Sequence, residues 1–84
     1  MNILITGGCG FIGSNFINKI YNTSFCNLIV NIDAMYYCAN IKNINEDIIN
    51  SDKYVFIHDN ICNTEKILET LQKYNITHIV HFAA

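Results

Sequence analysis

Proline and tryptophan are absent from the 84 residues, charged residues make up only 14%, and the net charge is −2. The missing residue types, beside abundant asparagine and isoleucine, reflect AT-rich codon usage and carry nothing about activity. The missing positive charge carries more: with no basic patch, nucleic acid and anionic membrane surfaces are poor partners. No apolar run approaches the ~20 residues that cross a bilayer. Met1 leads directly into a short apolar stretch and then glycines, without the charged leader and long apolar segment of a signal peptide. The expected location is cytoplasmic. The four cysteines, Cys9, Cys26, Cys38 and Cys62, form no C-x-x-C pair and match no zinc spacing, so they read as reduced thiols used as small apolar residues. Repeats, low-complexity segments and linkers are missing too. Residues 1–84 are therefore expected to form one unit with no second domain. At 51% hydrophobic content it packs rather than stays disordered, although so short a chain buries only about 60–65% of its unfolded surface and is marginal unaided.

What is present is a glycine loop in a specific context. Gly7-Gly8-Cys9-Gly10-Phe11-Ile12-Gly13 follows the apolar stretch Ile3-Leu4-Ile5-Thr6. Strand, glycine loop, helix is the order a dinucleotide-binding turn requires. Gly7 allows the tight turn. Gly10 has no side chain to hold a pyrophosphate away from the backbone. Gly13 lets the helix pack close to the strand. The helix N-terminus offers unpaired N–H groups and a partial positive charge to phosphates. The spacing is G-x-x-G-x-x-G. About 20 residues beyond Gly13, Asp33 closes the apolar run Leu28-Ile29-Val30-Asn31-Ile32. An acid there accepts hydrogen bonds from adenosine ribose hydroxyls and repels a 2′-phosphate. Ala34 follows, and no Arg or Lys stands between 34 and 41. The cofactor expected is NAD rather than NADP. Taken alone, Asp33 reads as a solvated loop acid or helix cap, and its place behind the glycine loop outweighs that. Cys9 sits near a helix N-terminus, an environment that lowers thiol pKa, so a reactive thiol is a minor expectation.

Strand and helix patterns alternate along the rest of the chain. Asn2–Thr6 reads as a buried parallel strand. Phe11–Tyr21 reads as a helix with Ile12, Phe16 and Ile20 at four-residue spacing and Ile17 beside them, and Lys19 suits its dipole. Asn22–Cys26 is a polar connection and Leu28–Ile32 a second strand. Asp33–Asn43 reads as loop, Ile44–Ile49 as a short helix and Tyr54–His58 as a third strand. Asn63 caps a helix over Thr64–Tyr74 whose apolar face is Ile67, Leu68 and Leu71. His78–Phe82 is a fourth strand. The pattern predicts the first half of a Rossmann-type, doubly wound parallel α/β sheet, strand order 3-2-1-4. The ligand crevice of such a sheet lies where strand order reverses, between the first and fourth strands. Phe82, Ala83 and Ala84 fall where one wall should stand, and the fourth strand is left as an apolar edge unless another segment covers it.

The remaining polar residues are weaker signals. His78 and His81 are three apart on a strand and point to opposite faces, which disfavours a shared metal; strand-end histidines are the simpler reading. Asn60 and Ile61 follow the third strand, near where adenine would lie, as amide acceptor and packing surface, or as plain loop residues. Tyr36 and Tyr37 line the cofactor edge or are half-buried loop aromatics. No nucleophile–base–acid set can be assembled and no Tyr-x-x-x-Lys is present: four positions after each tyrosine stand Phe25, Asn40, Ile41, His58 and His78. No catalytic residue is assigned.

Thr6-Gly7-Gly8-Cys9-Gly10-Phe11-Ile12-Gly13-Ser14 resembles the opening of the extended short-chain dehydrogenase/reductases that act on nucleotide sugars. Asp33-Ala34-Met35-Tyr36-Tyr37-Cys38-Ala39-Asn40-Ile41-Lys42-Asn43 resembles the second-strand segment of the nucleotide-diphosphate-glucose 4,6-dehydratases, closer to the UDP-glucose than to the dTDP-glucose members. Sugar 4-epimerases usually run Asp-Asn-Leu at this point. Lys53-Tyr54-Val55-Phe56-Ile57-His58 and His81-Phe82-Ala83-Ala84 fit the third and fourth strands. The resemblance covers the whole chain, roughly the first quarter of a family-sized protein. It implies that Gly7, Gly10, Phe11, Ile12 and Gly13 hold the pyrophosphate. Asp33 would bind the adenosine ribose with Ala34, Met35 and Tyr36 flanking it. Asn60 and Ile61 would meet adenine, and Phe82, Ala83 and Ala84 begin the cofactor wall. The family usually has Gly or Ala then Asp before that Ile; here Asp59 and Asn60 stand there, which lowers expected affinity. The implied reaction is NAD-mediated hydride removal from sugar C4, loss of water across C5–C6 and return of hydride to C6. The Tyr-x-x-x-Lys and acidic residues for it lie downstream of position 84 in relatives, as does most of the nucleotide-sugar pocket. Full-length relatives are expected to be homodimers. The alternatives are a nucleotide-sugar 4-epimerase, a stand-alone weak NAD-binding module, and an inactive truncated remnant.

Overall fold

Isoleucine, valine and threonine fill the strand segments, where β-branched side chains pack well on a pleated surface. The computed structural model describes residues 1–35 and 40–82. Its strands β1 (Asn2–Thr6), β2 (Leu28–Asp33), β3 (Tyr54–His58) and β4 (His78–His81) form one parallel sheet in the order β3-β2-β1-β4, the order expected from the alternating pattern. Asn2 pairs with Leu28, Ile3 with His78, and Ile29 with Tyr54.

Alternation along the strands sends successive side chains to opposite faces. Ile3, Ile5, Ile29 and Tyr54 pack on one side with Ile17 and Ile20 of α1 (Phe11–Ile20), Ile48 of α2 (Glu46–Ile49), and Cys26 and Ile44. Leu4, Val30 and Ile32 pack on the other, against Ile67 and Leu71 of α3 (Thr64–Lys73) and Tyr74 and Ile76 beyond it. Each fully buried Ile or Leu contributes about 1.5–3 kcal/mol, so both layers are needed to hold so small a sheet.

Local signals place most element ends to within a residue, although α2 begins at Glu46, two residues after the expected start at Ile44. Lys19 sits in the last turn of α1 and Tyr21 is its C-cap. β2 runs one residue further than the apolar run, because Asp33 still pairs with His58. The Asn63 side chain caps α3 by accepting the Lys66 N–H at 3.2 Å, and Tyr74 is the C-cap rather than the last helical residue. A 3₁₀ turn, Ile41–Asn43, occupies part of the expected loop, with the Asn40 side chain accepting the Lys42 N–H. β4 ends at His81, although the Phe82 N–H still donates to the Thr6 carbonyl at 2.8 Å.

Two apolar faces differ from expectation. In α1 the buried residues are Gly13, Ser14, Ile17 and Ile20, while Ile12 is 69% exposed. Four-residue spacing aligns Ile12 with Phe16 and Ile20, but the first turn buries Gly13 and Ser14 and leaves Ile12 lining a cleft. In α3 Leu68 faces solvent and Thr70 is buried, its hydroxyl donating to the Lys66 carbonyl at 2.7 Å. The stripe that α3 buries against Leu4, Val30 and Ile32 runs through Ile67 and Leu71 and leaves Leu68 outside it. Among the described residues β4 is an edge strand, and Ile79 is 57% exposed.

Candidate functional site

The chain leaves β1 through Gly7, whose φ of 73° is left-handed and suits glycine. The Gly7 N–H donates to the Ile32 carbonyl at 2.9 Å, fixing the loop to the tip of β2. Gly10 precedes α1 in extended conformation, and no side chain caps that helix. Its first turn also carries no acidic residue. Among the described residues the N–H groups there meet no side-chain acceptor or competing carboxylate, which leaves them for an anion.

The glycines play different parts. A Cβ at Gly13 would overlap the Gly7 carbonyl oxygen and come within 2.9 Å of Gly8 Cα. Close packing of helix on loop therefore requires glycine at 13. A Cβ at Gly10 would stand 3.5 Å from the Gly7 oxygen, an ordinary contact, with nothing else near it. Nothing in the described residues forbids a side chain at 10, and the space it would fill belongs to a cleft. That cleft, about 330 Å³, is lined by Gly7, Gly10, Phe11, Ile12, Gly13 and Phe82. Phe11 is 77% exposed, and with Ile12 it forms an apolar flank to the cleft mouth. The Phe82 ring packs on Phe16 with centroids 5.4 Å apart.

Asp33 is buried, 7% exposed, at the end of β2. Its Oδ2 accepts the Cys9 N–H at 2.8 Å and its Oδ1 the Met35 N–H at 2.7 Å. Each oxygen keeps lone-pair capacity for one more donor. Met35 is held at φ 59°, left-handed for a non-glycine residue, by that bond. The Ala34 carbonyl lies 3.1 Å from His58 Nε2. The Asp59 N–H donates to the Asp33 carbonyl at 3.2 Å, bringing the tip of β3 beside Asp33. The Asn60 Oδ1 accepts the Cys62 N–H at 2.9 Å, so this amide shapes the turn into α3. Asn60 and Ile61 are half-buried and do not line the cleft described above. Tyr36, Ala83 and Ala84, also expected at the site, lie outside the described residues, as do Tyr37 and Cys38.

The structure reverses the expectation of a reactive Cys9. The residue is wholly buried, and burial pushes its thiol up to about 11, with a smaller rise from the Asp33 charge opposing the Asn31 hydrogen bond. Burial outweighs the helix N-terminus here. Burial also raises Cys26, while Cys62 is exposed. Iodoacetamide at pH 8 should alkylate Cys62 and leave Cys9 and Cys26 unmodified in the folded chain, as peptide mass mapping would show; rapid labelling of Cys9 would refute its burial. The histidines stand apart with separate neighbours: His81 Nδ1 is 2.6 Å from Thr6 Oγ1, and His78 Nδ1 is 2.8 Å from Thr77 Oγ1.

Two residues at the loop were not singled out by sequence. Gly8 is closely packed too, since a Cβ there would overlap Asn31 Oδ1 and come 2.6 Å from Ile17 Cδ1, side-chain atoms rather than the backbone that meets Gly13. Asn31 reads as part of an apolar run, yet its side chain turns inward onto the loop. The one available signal was its polarity between Val30 and Ile32.

Residues 4–84 match the model of the family described as GDP-mannose 4,6 dehydratase. The dTDP-glucose 4,6-dehydratase of Salmonella typhimurium is 38% identical over 84 residues, 100% of this chain and 23% of that protein. The crystal structure of dTDP-glucose 4,6-dehydratase from Bacillus anthracis in complex with NAD is similar with a TM-score of 0.93 at 38% identity, covering 100% of this chain and 27% of that one. UDP-glucose 4-epimerase from Thermotoga maritima, solved with UDP-glucose, gives 0.81 at 26% identity over 100% of this chain and 24% of its own. The chain spans about a quarter of the length of these relatives.

Proposed function

The chain belongs to the family described as GDP-mannose 4,6 dehydratase, and from that premise we propose that its glycine-loop end holds the adenosine diphosphate half of NAD. In this reading the chain is the cofactor-binding portion of a nucleotide-sugar 4,6-dehydratase acting on UDP- or dTDP-glucose. The observation that carries it is Asp33: a buried carboxylate, oriented by the Cys9 and Met35 N–H groups and retaining acceptor capacity, beside an uncapped helix N-terminus. Two vicinal ribose hydroxyls suit that remaining capacity, and a 2′-phosphate would meet its negative charge. Gly10, whose side of the cleft a Cβ would fill, gives a pyrophosphate close access to the backbone. Phe11, Ile12 and Phe82 offer it apolar flanks.

NAD, when bound, supplies a hydride acceptor for oxidation of a sugar hydroxyl. This chain's own part is to bind and orient it. The sequence carries no Tyr-x-x-x-Lys to move the substrate's protons, so a nucleotide sugar and a second subunit enter the proposal only with the further sequence that the longer relatives carry. Greater similarity to the dehydratase than to the epimerase, 0.93 against 0.81, supports the first activity over the second. A cytosolic setting accompanies the reading, supported by free Cys9, Cys26 and Cys62.

The alternative for the 84 residues themselves is weak NAD binding without chemistry, favoured because the sequence supplies a cofactor loop but no Tyr-x-x-x-Lys. Amide NMR titration tests both. NAD should shift the amides of residues 8–13 at millimolar concentration, and NADP should bind at least ~10-fold more weakly because Asp33 opposes its 2′-phosphate. No response at millimolar NAD would sink the assignment.

A further inference from the structure

An asparagine in the middle of a parallel strand is costly to bury unless its amide is engaged on both sides. Asn31 sits between Val30 and Ile32 on β2, opposite Ile5 of β1 and Phe56 of β3, and is 0% exposed. Its Oδ1 accepts the Gly8 N–H at 2.9 Å. Its Nδ2 donates to the Tyr54 hydroxyl at 3.0 Å and to Cys9 Sγ at 3.4 Å. The backbone N–H of Gly8 can only donate, so the amide oxygen must face the loop and the NH₂ must face Tyr54. Glycine loop, β2 and β3 thus meet on one side chain.

The next inward residue along β2 is Asp33, which takes the next N–H of the loop, that of Cys9. Two successive loop amides are therefore held by two alternate side chains of one strand. Their chemistry divides the labour. Asp33 is charged, stands at the strand tip and keeps lone pairs for a ligand. Asn31 is neutral, enclosed and committed to protein partners. A neutral acceptor holds Gly8 without setting a second negative charge behind a loop that must receive phosphates. Glycine at 8 is what lets the loop settle onto the amide.

We propose that Asn31 is a positioning residue: its buried amide, pinned by Tyr54, sets the glycine loop in the shape that receives a pyrophosphate. The proposal rests on the nucleotide-binding reading above. It requires the effect of Asn31 to be local to the loop, whereas a core residue of general structural value would act on the whole sheet.

The test is amide hydrogen exchange of the ligand-free 84-residue chain, read by NMR, with NAD titrations alongside. Asn31→Leu fills the space without an acceptor; Asn31→Asp keeps an acceptor oxygen for Gly8; Tyr54→Phe removes the pin. In Asn31→Leu, Gly8 and Cys9 should exchange at least ~10-fold faster while Leu4, Ile5 and the α3 amides keep their rates. Tyr54→Phe should give a smaller acceleration, roughly 3-fold, at the same two amides. Asn31→Asp should restore Gly8 protection yet bind NAD more weakly than wild type because of its added negative charge, and among wild type, Tyr54→Phe and Asn31→Leu affinity for NAD should fall in the order of loop exchange. Unchanged Gly8 exchange, or equal acceleration across the sheet, overturns the proposal. If Asn31→Leu does not fold, Tyr54→Phe decides on the same readouts. A wild-type chain with the expected exchange pattern but no response to NAD would support the hold of Asn31 on the loop and overturn the nucleotide-binding reading instead.

Discussion

Gly13→Ala should lower the melting temperature by roughly 10 °C and abolish the NAD response, although alanine is the better helix former. The helix gains about 1 kcal/mol from the exchange. The added Cβ, however, overlaps the Gly7 carbonyl oxygen and reaches 2.9 Å from Gly8 Cα. Both are backbone atoms that cannot rotate aside, and the Gly7 carbonyl also accepts the Gly10 N–H at 3.3 Å. The clash must be relieved by moving α1 off the loop. Overpacking of this kind costs about 3 kcal/mol, leaving a net loss near ~2 kcal/mol, and each kcal/mol shifts the midpoint of so small a domain by about 4–8 °C. Gly10→Ala is the control. Its Cβ meets only an ordinary 3.5 Å contact, so the melting curve should stay within a few degrees of wild type while NAD binding is lost to the methyl group in the cleft. A thermal melt and a titration on each variant check the pair. Equal melting temperatures for Gly13→Ala and wild type would refute the close packing of α1 on the loop.

Asp33→Asn should weaken NAD binding by roughly 30-fold and narrow the preference for NAD over NADP. The wild-type carboxylate accepts two backbone N–H groups, one on each oxygen. Asparagine offers one oxygen and sets an NH₂ against the other N–H donor. Hydrogen bonds to charged groups contribute about 1.5–3 kcal/mol. Losing ~2 kcal/mol of orientation and acceptor strength corresponds to roughly 30-fold at ~1.4 kcal/mol per decade. The same loss should appear in a lower urea midpoint, because Met35 then holds its left-handed conformation unaided. Removing the negative charge removes the repulsion of a 2′-phosphate, so NADP should lose less affinity than NAD. If the Asp33→Asn variant binds NAD as tightly as wild type, Asp33 is not part of the site.

Sequence spacing disclosed the architecture because each signal was local and redundant. Apolar strands, a glycine loop and Asp33 at the expected distance reinforce one another, and the sheet order follows from strand–helix alternation. What stayed hidden depends on neighbours far along the chain. Periodicity aligned Ile12 with Phe16 and Ile20, yet the first turn of α1 sets Gly13 and Ser14 inward against the loop and leaves Ile12 on the cleft. Helix proximity suggested an activated Cys9, but its burial comes from Ile17, Asn31 and Tyr54 closing around it. Asn31 was masked by the apolar residues on either side, since a hydrophobic run says nothing about the role of its one polar member. Asn60 reads as a ligand amide in the sequence, and only the geometry of the turn shows that its oxygen also accepts the Cys62 N–H.

The central position of β1 also orders how the molecule is made. The contacts that shape the glycine loop are 23 residues apart, Gly8 with Asn31 and Asn31 with Tyr54. The pairing of β1 with β4 joins residues 75 apart, as in Thr6 with His81. Closing the longer loop costs roughly 1 kcal/mol more in chain entropy. Synthesis at about 5–20 residues per second imposes the same sequence, because Asp33 and Tyr54 leave the ribosome seconds before Val80. The glycine loop therefore has its partners on the first three strands before β4 is available to pair with β1.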